Sequence, residues 1–221
     1  MAKERYHHGD LRGALLDAAE TLVRERGVDG WSLREASNQV GVSPSAAYHH
    51  FSSRDALVHA LSERVLARLG EHLAAAVHAA SAQGPGRLAA YGRGYVGWAV
   101  DDPAVARLVF RGGSTEHRRS AVPPHPHDVL AAELDRLADA GRLPASARPG
   151  ADFVLWSAIH GLTVLLIDGL VHIDSREDVD RQAERLVHAT LEGLRREAAP
   201  PGQWPAPHTT HTRQHPGSSS S

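Results

Sequence analysis

The chain has 221 residues, of which 42% are hydrophobic and 5% aromatic, and a formal net charge of -2. That length holds one compact domain, or a small one joined to a medium one, around a core packed from aliphatic side chains and alanine. The charge excludes a uniformly basic nucleic-acid coat while leaving room for a local basic patch. The absence of cysteine excludes disulfides and thiolate metal sites, which fits a reducing cytoplasm.

The opening residues, Met1 to Tyr6, lack the apolar run of a secretory signal. The longest apolar segment, 153–173, carries His160, Asp168 and His172. An aspartate at mid-bilayer costs roughly 2.5–3.5 kcal/mol, so this segment reads as a helix buried in protein and no membrane partner is expected. Lys3 is the lone lysine in a chain rich in Arg, Ala and Gly, a composition that points to a GC-rich bacterial genome.

In chain order, Leu11, Leu15, Ala18, Leu22 and Val23 recur at helical spacing, with Asp10 as cap and Gly27 as stop. Ser32, followed by Glu35, opens a second, short helix as a capping box, and Gly41 ends it. Ser43-Pro44 starts a third that runs to about Phe51, with Pro44 where a missing N–H costs nothing. Ser53 caps a fourth whose Leu57, Leu61, Val65, Leu69 and Leu73 form a long stripe that fades near Ala82. Gly84-Pro85-Gly86 breaks the chain. Helices from Arg87 to about Val100 and from Asp102-Pro103 to Phe110 follow, then a loop over 111–126 and a seventh helix from about His127 to Ala140. Two long helices, 150–173 and 175–198, close the fold. The segment from Ala199 onward is Pro, His, Thr and Ser, too polar to offset its own ordering, and reads as a disordered tail.

Residues 32–51, SLREASNQVGVSPSAAYHHF, carry the strongest signal. Two short helices joined at a glycine make the helix-turn-helix layout, in which the second helix enters the major groove. Ala36, Val40, Ala47 and Phe51 supply the small inner faces. Ser43, Ser45, Ala46, Tyr48, His49 and His50 are left for the outer surface. Hydroxyls can donate to phosphate or base edges, and Ala46 can lie against a thymine methyl. With no arginine on that surface, positioning contacts are shared among Tyr48, His50, Arg34 and Arg54, with Ser32 also among the DNA-binding candidates, and an N-terminal arm bearing Lys3 and Arg5 can reach a minor groove or lie along phosphates. A plain helical hairpin, with Tyr48 and Phe51 in the core, is the alternative.

From about Gly9 to Leu69 the chain resembles the DNA-binding domain of the TetR family. Ser32, Arg34-Glu35, Gly41-Val42-Ser43, Tyr48, His50, Phe51 and Arg54 carry the resemblance, which departs from the family pattern at Ala36-Ser37 and at Arg54 in place of lysine. The resemblance implies phosphate contacts from Tyr48 and His50, an anchoring role for Arg54, and groove-facing Ser43, Ser45 and His49. The start Tyr6-His7-His8-Gly9-Asp10-Leu11, with Trp156-x-x-x-His160-Gly161, further resembles the branch of that family named after its Trp-His-Gly (WHG) C-terminal domain.

Trp156 and His160 lie one turn apart, and can either line a ligand pocket or serve as core. Tyr95, Trp98 and Phe110 carry the same two readings. Asp168 and His172, also one turn apart, can pair. The histidines at 125, 127, 208, 211 and 215 invite a metal, yet no carboxylate at helical spacing completes a site, and neither cofactor nor metal is expected. Leu162, Leu165, Leu166, Ile167, Leu170 and Val171 surround their helix and call for neighbours on every side.

The expected protein is all-α with about nine helices: an arm over 1–8, a DNA-binding domain over 9–69, a helical sensing and dimerisation domain over 70–198, and a tail over 199–221. The resemblance implies a cytoplasmic homodimeric repressor, joined through its last two helices and released from a palindromic operator by a small molecule. A ligand-independent or activating regulator is the alternative. An enzyme using His160 and Asp168 finds no nucleophile, metal triad or phosphate loop in support.

Overall fold

The computed structural model describes residues 10–80, 86–111 and 124–196. Among these the secondary structure is helical throughout: α1 (Leu11–Arg26), α2 (Leu33–Val40), α3 (Pro44–His50), α4 (Arg54–Ala79), α5 (Gly86–Asp101), α6 (Pro103–Arg111), α7 (Pro126–Asp139), α8 (Ala151–Ile167) and α9 (Arg176–Arg196), with a 3-10 turn at Ala145–Ala147. No helix among the described residues is long and apolar enough to cross a membrane. The arm with Lys3 and Arg5, most of the 111–126 loop and the C-terminal tail lie outside the described residues.

The first four helices begin where side chains satisfy their orphan N–H groups. Asp10 Oδ1 accepts from Gly13 N–H at 2.8 Å, and Ser53 Oγ accepts from Ala56 N–H at 3.0 Å. Ser32 and Glu35 bond each other's backbone reciprocally, completing the capping box. Each such cap contributes about 1 kcal/mol. Gly41 stands in the left-handed region, φ 79 and ψ 29, and returns its N–H to α2, a conformation that costs a side-chain-bearing residue more.

Two hydrophobic clusters share α4. Leu57, Leu61 and Val65 join Leu15, Leu22, Ala36, Ala47 and Phe51 in the head, whereas Leu69, Leu73 and Val77 join α5, α7, α8 and α9. Ala36 and Ser37 are fully buried, and the Ser37 hydroxyl donates to the Arg34 carbonyl at 2.8 Å, so the departure from the usual apolar pair leaves no unmet polar group. Val105 and Leu108 of α6 also enter the head cluster, and Trp98 packs against both clusters. The helical half is thus seated on the head through α6 as well as α4.

The last two helices differ from expectation at their junction. α8 ends at Ile167 instead of Ile173, because Gly169 adopts φ 71 and the Gly169 and Leu170 N–H groups turn back to the Leu166 and Leu165 carbonyls. This is the Schellman stop, and a glycine at that position favours it. The expected Asp168–His172 pair is therefore absent, since no helix spaces them. Asp168 instead takes Arg107 at 3.1 Å, and exposed His172 stands 3.3 Å from Asp174. Ser175 caps α9 through Asp178 N–H at 3.1 Å.

Candidate nucleic-acid interface

α3 begins at Ser43, whose Oγ accepts from Ala46 N–H at 3.2 Å, with Pro44 at its first position. Ala47 faces inward, and Phe51, just past the helix, drops into the head cluster. The outer side then presents Ser45, Tyr48, His49 and His50, with Tyr48 55% exposed and Ala46 half-buried between them. All the residues expected on the reading surface thus lie outward on or beside one short helix. Ser43 and Ser32 are exposed, but their hydroxyls already serve as caps. Arg34 is exposed on α2.

Arg54 is placed differently from the other basic candidates. Its guanidinium lies 4.9 Å from the Trp31 ring centroid, donates to the Val28 carbonyl, and stands 3.6 Å from Asp29. It fastens the start of α4 to the α1–α2 turn. Arg12, which sequence reasoning passed over, is exposed on α1 with its guanidinium 5.2 Å from the Phe51 ring centroid, beside the C-terminal end of α3. Its position one step from the apolar stripe, under the end of α3, emerges only from the packing of α1 on α3.

A second feature missed in the sequence is the carboxylate of Glu20, 4% exposed in the α1 stripe. Arg24, Arg64 and Arg68 approach it at 2.5, 3.0 and 2.8 Å. Burial alone would raise this carboxyl, but Arg68 and Arg24 together hold it below its ordinary value. Arg24 continues to Asp102 at 2.7 Å, and Asp102 in turn accepts from the Val105 N–H at 3.3 Å, so one polar clasp joins α1, α4 and the start of α6. The signal was a glutamate at a core-facing position between Leu16 and Val23.

In the helical half, Tyr95, Phe110, Trp156 and His160 come together from three helices. The Tyr95 hydroxyl lies 3.1 Å from His160 Nδ1. Phe110 meets the His160 ring edge-on at 4.5 Å between centroids, and Trp156 stacks on it at 5.1 Å and 24°. Burial pushes the Tyr95 phenol far up, with a smaller opposing contribution from the Trp156 indole N–H, and burial lowers His160. Both groups are neutral near pH 7. Trp98, the remaining candidate, packs against both cores and, like Phe110, against Ala99, Ala106 and Ile167.

Comparison with known proteins agrees with this geometry at both ends of the chain. The family described as bacterial regulatory proteins, tetR family, matches residues 15–61, and a tetracyclin repressor-like C-terminal domain matches residues 88–190. The regulator BetI of Brucella suis is 35% identical over 71 residues, 32% of this chain and 36% of the relative, so the match spans about a third of that protein. An uncharacterized HTH-type regulator of Bacillus subtilis, YobS, is 24% identical over 180 residues, 81% of this chain and 90% of the relative. A solved Rhodococcus protein of unknown function superposes with a TM-score of 0.73 at 28% identity, covering 88% of this chain and all of that one. Head and helical half matched on one chain, with capped α3 exposed within the head, place this protein in the TetR family of bacterial regulatory proteins.

Proposed function

We propose that the protein is a homodimeric repressor whose hold on a palindromic operator is released when a small molecule binds the helical half. One observation carries the release step. α6 keeps Val105 and Leu108 in the head cluster while Phe110, at its other end, lies against His160. A ligand that displaces Phe110 thus acts on the head through one rigid helix. Release requires that the ligand favour the conformation that binds DNA poorly, since equal affinity for both shifts nothing.

On DNA, Tyr48 and His50 take phosphates, while Ser43, Ser45, Ala46 and His49 face base edges. Arg34, Arg12 and the arm with Lys3 and Arg5 supply positive charge, and Arg54 positions α3 and α4 from behind. The head corresponds to residues 9–69 and the sensing unit to 70–198. The seam between subunits runs along α8 and α9, where Ser157, Gly161 and Leu165 lie exposed one turn apart and Leu170 is 71% exposed. Two heads on one dimer let individually modest half-sites add. The WHG-type C-terminal domain and a cytoplasmic site of action belong to the same reading.

Selection of bound fragments from random DNA tests the proposal, followed by sedimentation of the protein alone and on its selected site. Two protomers on a two-fold symmetric sequence, with affinity that falls steeply with salt, is the expected result. A monomer on DNA, or binding indifferent to sequence, would sink it.

A further inference from the structure

The chain contains three phenylalanines, four tryptophans and four tyrosines. Two of the phenylalanines, two of the tyrosines and one tryptophan nevertheless form a single ladder with His160. Phe153 to Trp156, Trp156 to His160, His160 to Phe110, Phe110 to Tyr95 and Tyr95 to Tyr91 are 6.4, 5.1, 4.5, 6.0 and 6.2 Å apart between centroids. An otherwise aliphatic core has no packing need for such concentration. The ladder also has a direction: Phe153 and Trp156 are 47% and 36% exposed, whereas Tyr95 and Tyr91 are buried.

Proton bookkeeping fixes the polar chemistry at its centre. The Tyr91 hydroxyl donates to the Pro126 carbonyl at 3.2 Å, so the inner ring is already satisfied. The buried Tyr95 hydroxyl needs an acceptor, and His160 Nδ1 at 3.1 Å is the acceptor in reach. A neutral imidazole that accepts at Nδ1 carries its proton on Nε2. That N–H has no partner among the described residues, and it stands beside the half-exposed indole.

Among the described side chains of α6 and α8, the charged ones nearest in sequence are committed elsewhere. Arg107 pairs with Asp168 at 3.1 Å, and Asp152 with His127 at 3.1 Å and Arg148 at 3.5 Å. Among the described residues, burial is the influence that acts on His160, with no charge contributing. A carboxylate or ammonium entering here would lose hydration without meeting an opposite charge among the described residues. A flat π-system instead gains offset stacking on the indole.

We infer that this ladder is a binding site for an uncharged, planar heteroaromatic molecule that stacks on Trp156 and accepts a hydrogen bond from His160 Nε2–H. The inference rests on the ligand-release reading and names the ligand that reading requires. It places the site at the outer end of the ladder, beside the α8 seam.

The test uses the full chain without DNA and three probes, with affinity read from tryptophan fluorescence and calorimetry. Quinoline is flat, neutral at pH 7.5 and carries a ring-nitrogen acceptor; naphthalene has the same outline without the acceptor; decanoate is a flexible anion. Quinoline is expected to bind at least about tenfold more tightly than either, matching one well-placed hydrogen bond. His160→Phe should erase the quinoline preference over naphthalene, His160→Gln should restore part of it by returning a donor, and Trp156→Leu should weaken both flat probes. Decanoate binding tightest, or a quinoline preference unchanged in His160→Phe, overturns the inference. A loss of folding in His160→Phe moves the decision to the half-exposed Trp156→Leu, where unchanged binding of flat probes overturns it. Quinoline binding as expected without loosening the protein from its selected DNA leaves this site standing and overturns the release reading instead.

Discussion

The first four helices, which make up the head, open on side-chain caps three residues away, whereas the ring and ion-pair contacts that tie the helical half together reach far along the chain. Asp10, Ser32, Ser43 and Ser53 each cap at a separation of 3. Tyr95 and His160 are 65 apart, and the Arg93–Glu184 pair joins residues 91 apart. Local closure suits a part that must present one fixed surface to DNA. Long-range closure makes the helical half depend on how its helices cross, the dependence on which the proposed ligand response rests.

Each half nevertheless holds one buried carboxylate, and the two provide the largest expected effect. Glu20 serves Arg24, Arg64 and Arg68, whereas Glu133 serves Arg87 and Arg136 at 2.8 and 3.0 Å. Breaking a buried pair from one side costs about 3–5 kcal/mol. Half-exposed Arg24 and Arg68 keep water, so Glu20→Gln should cost about 3 kcal/mol in denaturant unfolding. Glu133→Gln, which strands one fewer guanidinium, should cost about 2 kcal/mol on the same basis. A smaller loss from Glu20→Gln than from Glu133→Gln would mean that the head is not bolted to α4 through Glu20.

Acid separates the halves next. His160 and His125 are both lowered by burial from 6.5, so the unfolded chain binds protons there before the folded one does. The helical half therefore keeps full stability above about pH 6.5 and loses it as pH falls below that value, by at most about 1.4 kcal/mol per pH unit for each histidine. Glu20 and Glu133 are held below 4.5, so their stabilisation is present above that pH and is lost only as pH falls through their folded values. Unfolding free energies measured from pH 7.5 to 4 should fall in two stages, and His160→Phe should shrink the first. A flat curve down to pH 5 would show that neither imidazole is held neutral by its surroundings.

The same division governs what could be read without coordinates. Ser32, Glu35, Gly41 and Pro44 announce their roles within a few positions, because capping and left-handed turns are decided by neighbouring atoms. Glu20 was invisible as a hub because its partners Arg64 and Arg68 sit on another helix. Tyr95, Phe110, Trp156 and His160 could each be named as candidates, but their meeting depends on how α5, α6 and α8 cross. The end of α8 was misplaced because apolar Leu170, Val171 and Ile173 continue the hydrophobic run past Gly169, where backbone conformation outweighs periodicity. Arg54, expected both among the DNA contacts and as an anchor for the start of α4, packs on Trp31 and the α1–α2 turn, a partner that its own neighbours in sequence do not reveal.

One chemical change made in both halves gives the finest test, because Tyr→Phe removes a single hydroxyl and nothing else. Tyr95 is 3% exposed and its hydroxyl bonds His160, so Tyr95→Phe should cost about 1 kcal/mol of stability, the net worth of one buried hydrogen bond. Tyr48 is 55% exposed and its hydroxyl faces solvent, so Tyr48→Phe should leave stability within about 0.5 kcal/mol. Its effect should fall on DNA instead, as roughly a fivefold weakening per head, the binding equivalent of about 1 kcal/mol. Since the proposed contact is to backbone phosphate, the weakening should be nearly uniform across operator variants. A loss confined to one base position would move Tyr48 from the phosphates to a base edge. Unchanged affinity would leave His50, Arg34 and Arg12 to hold the backbone on that side of α3.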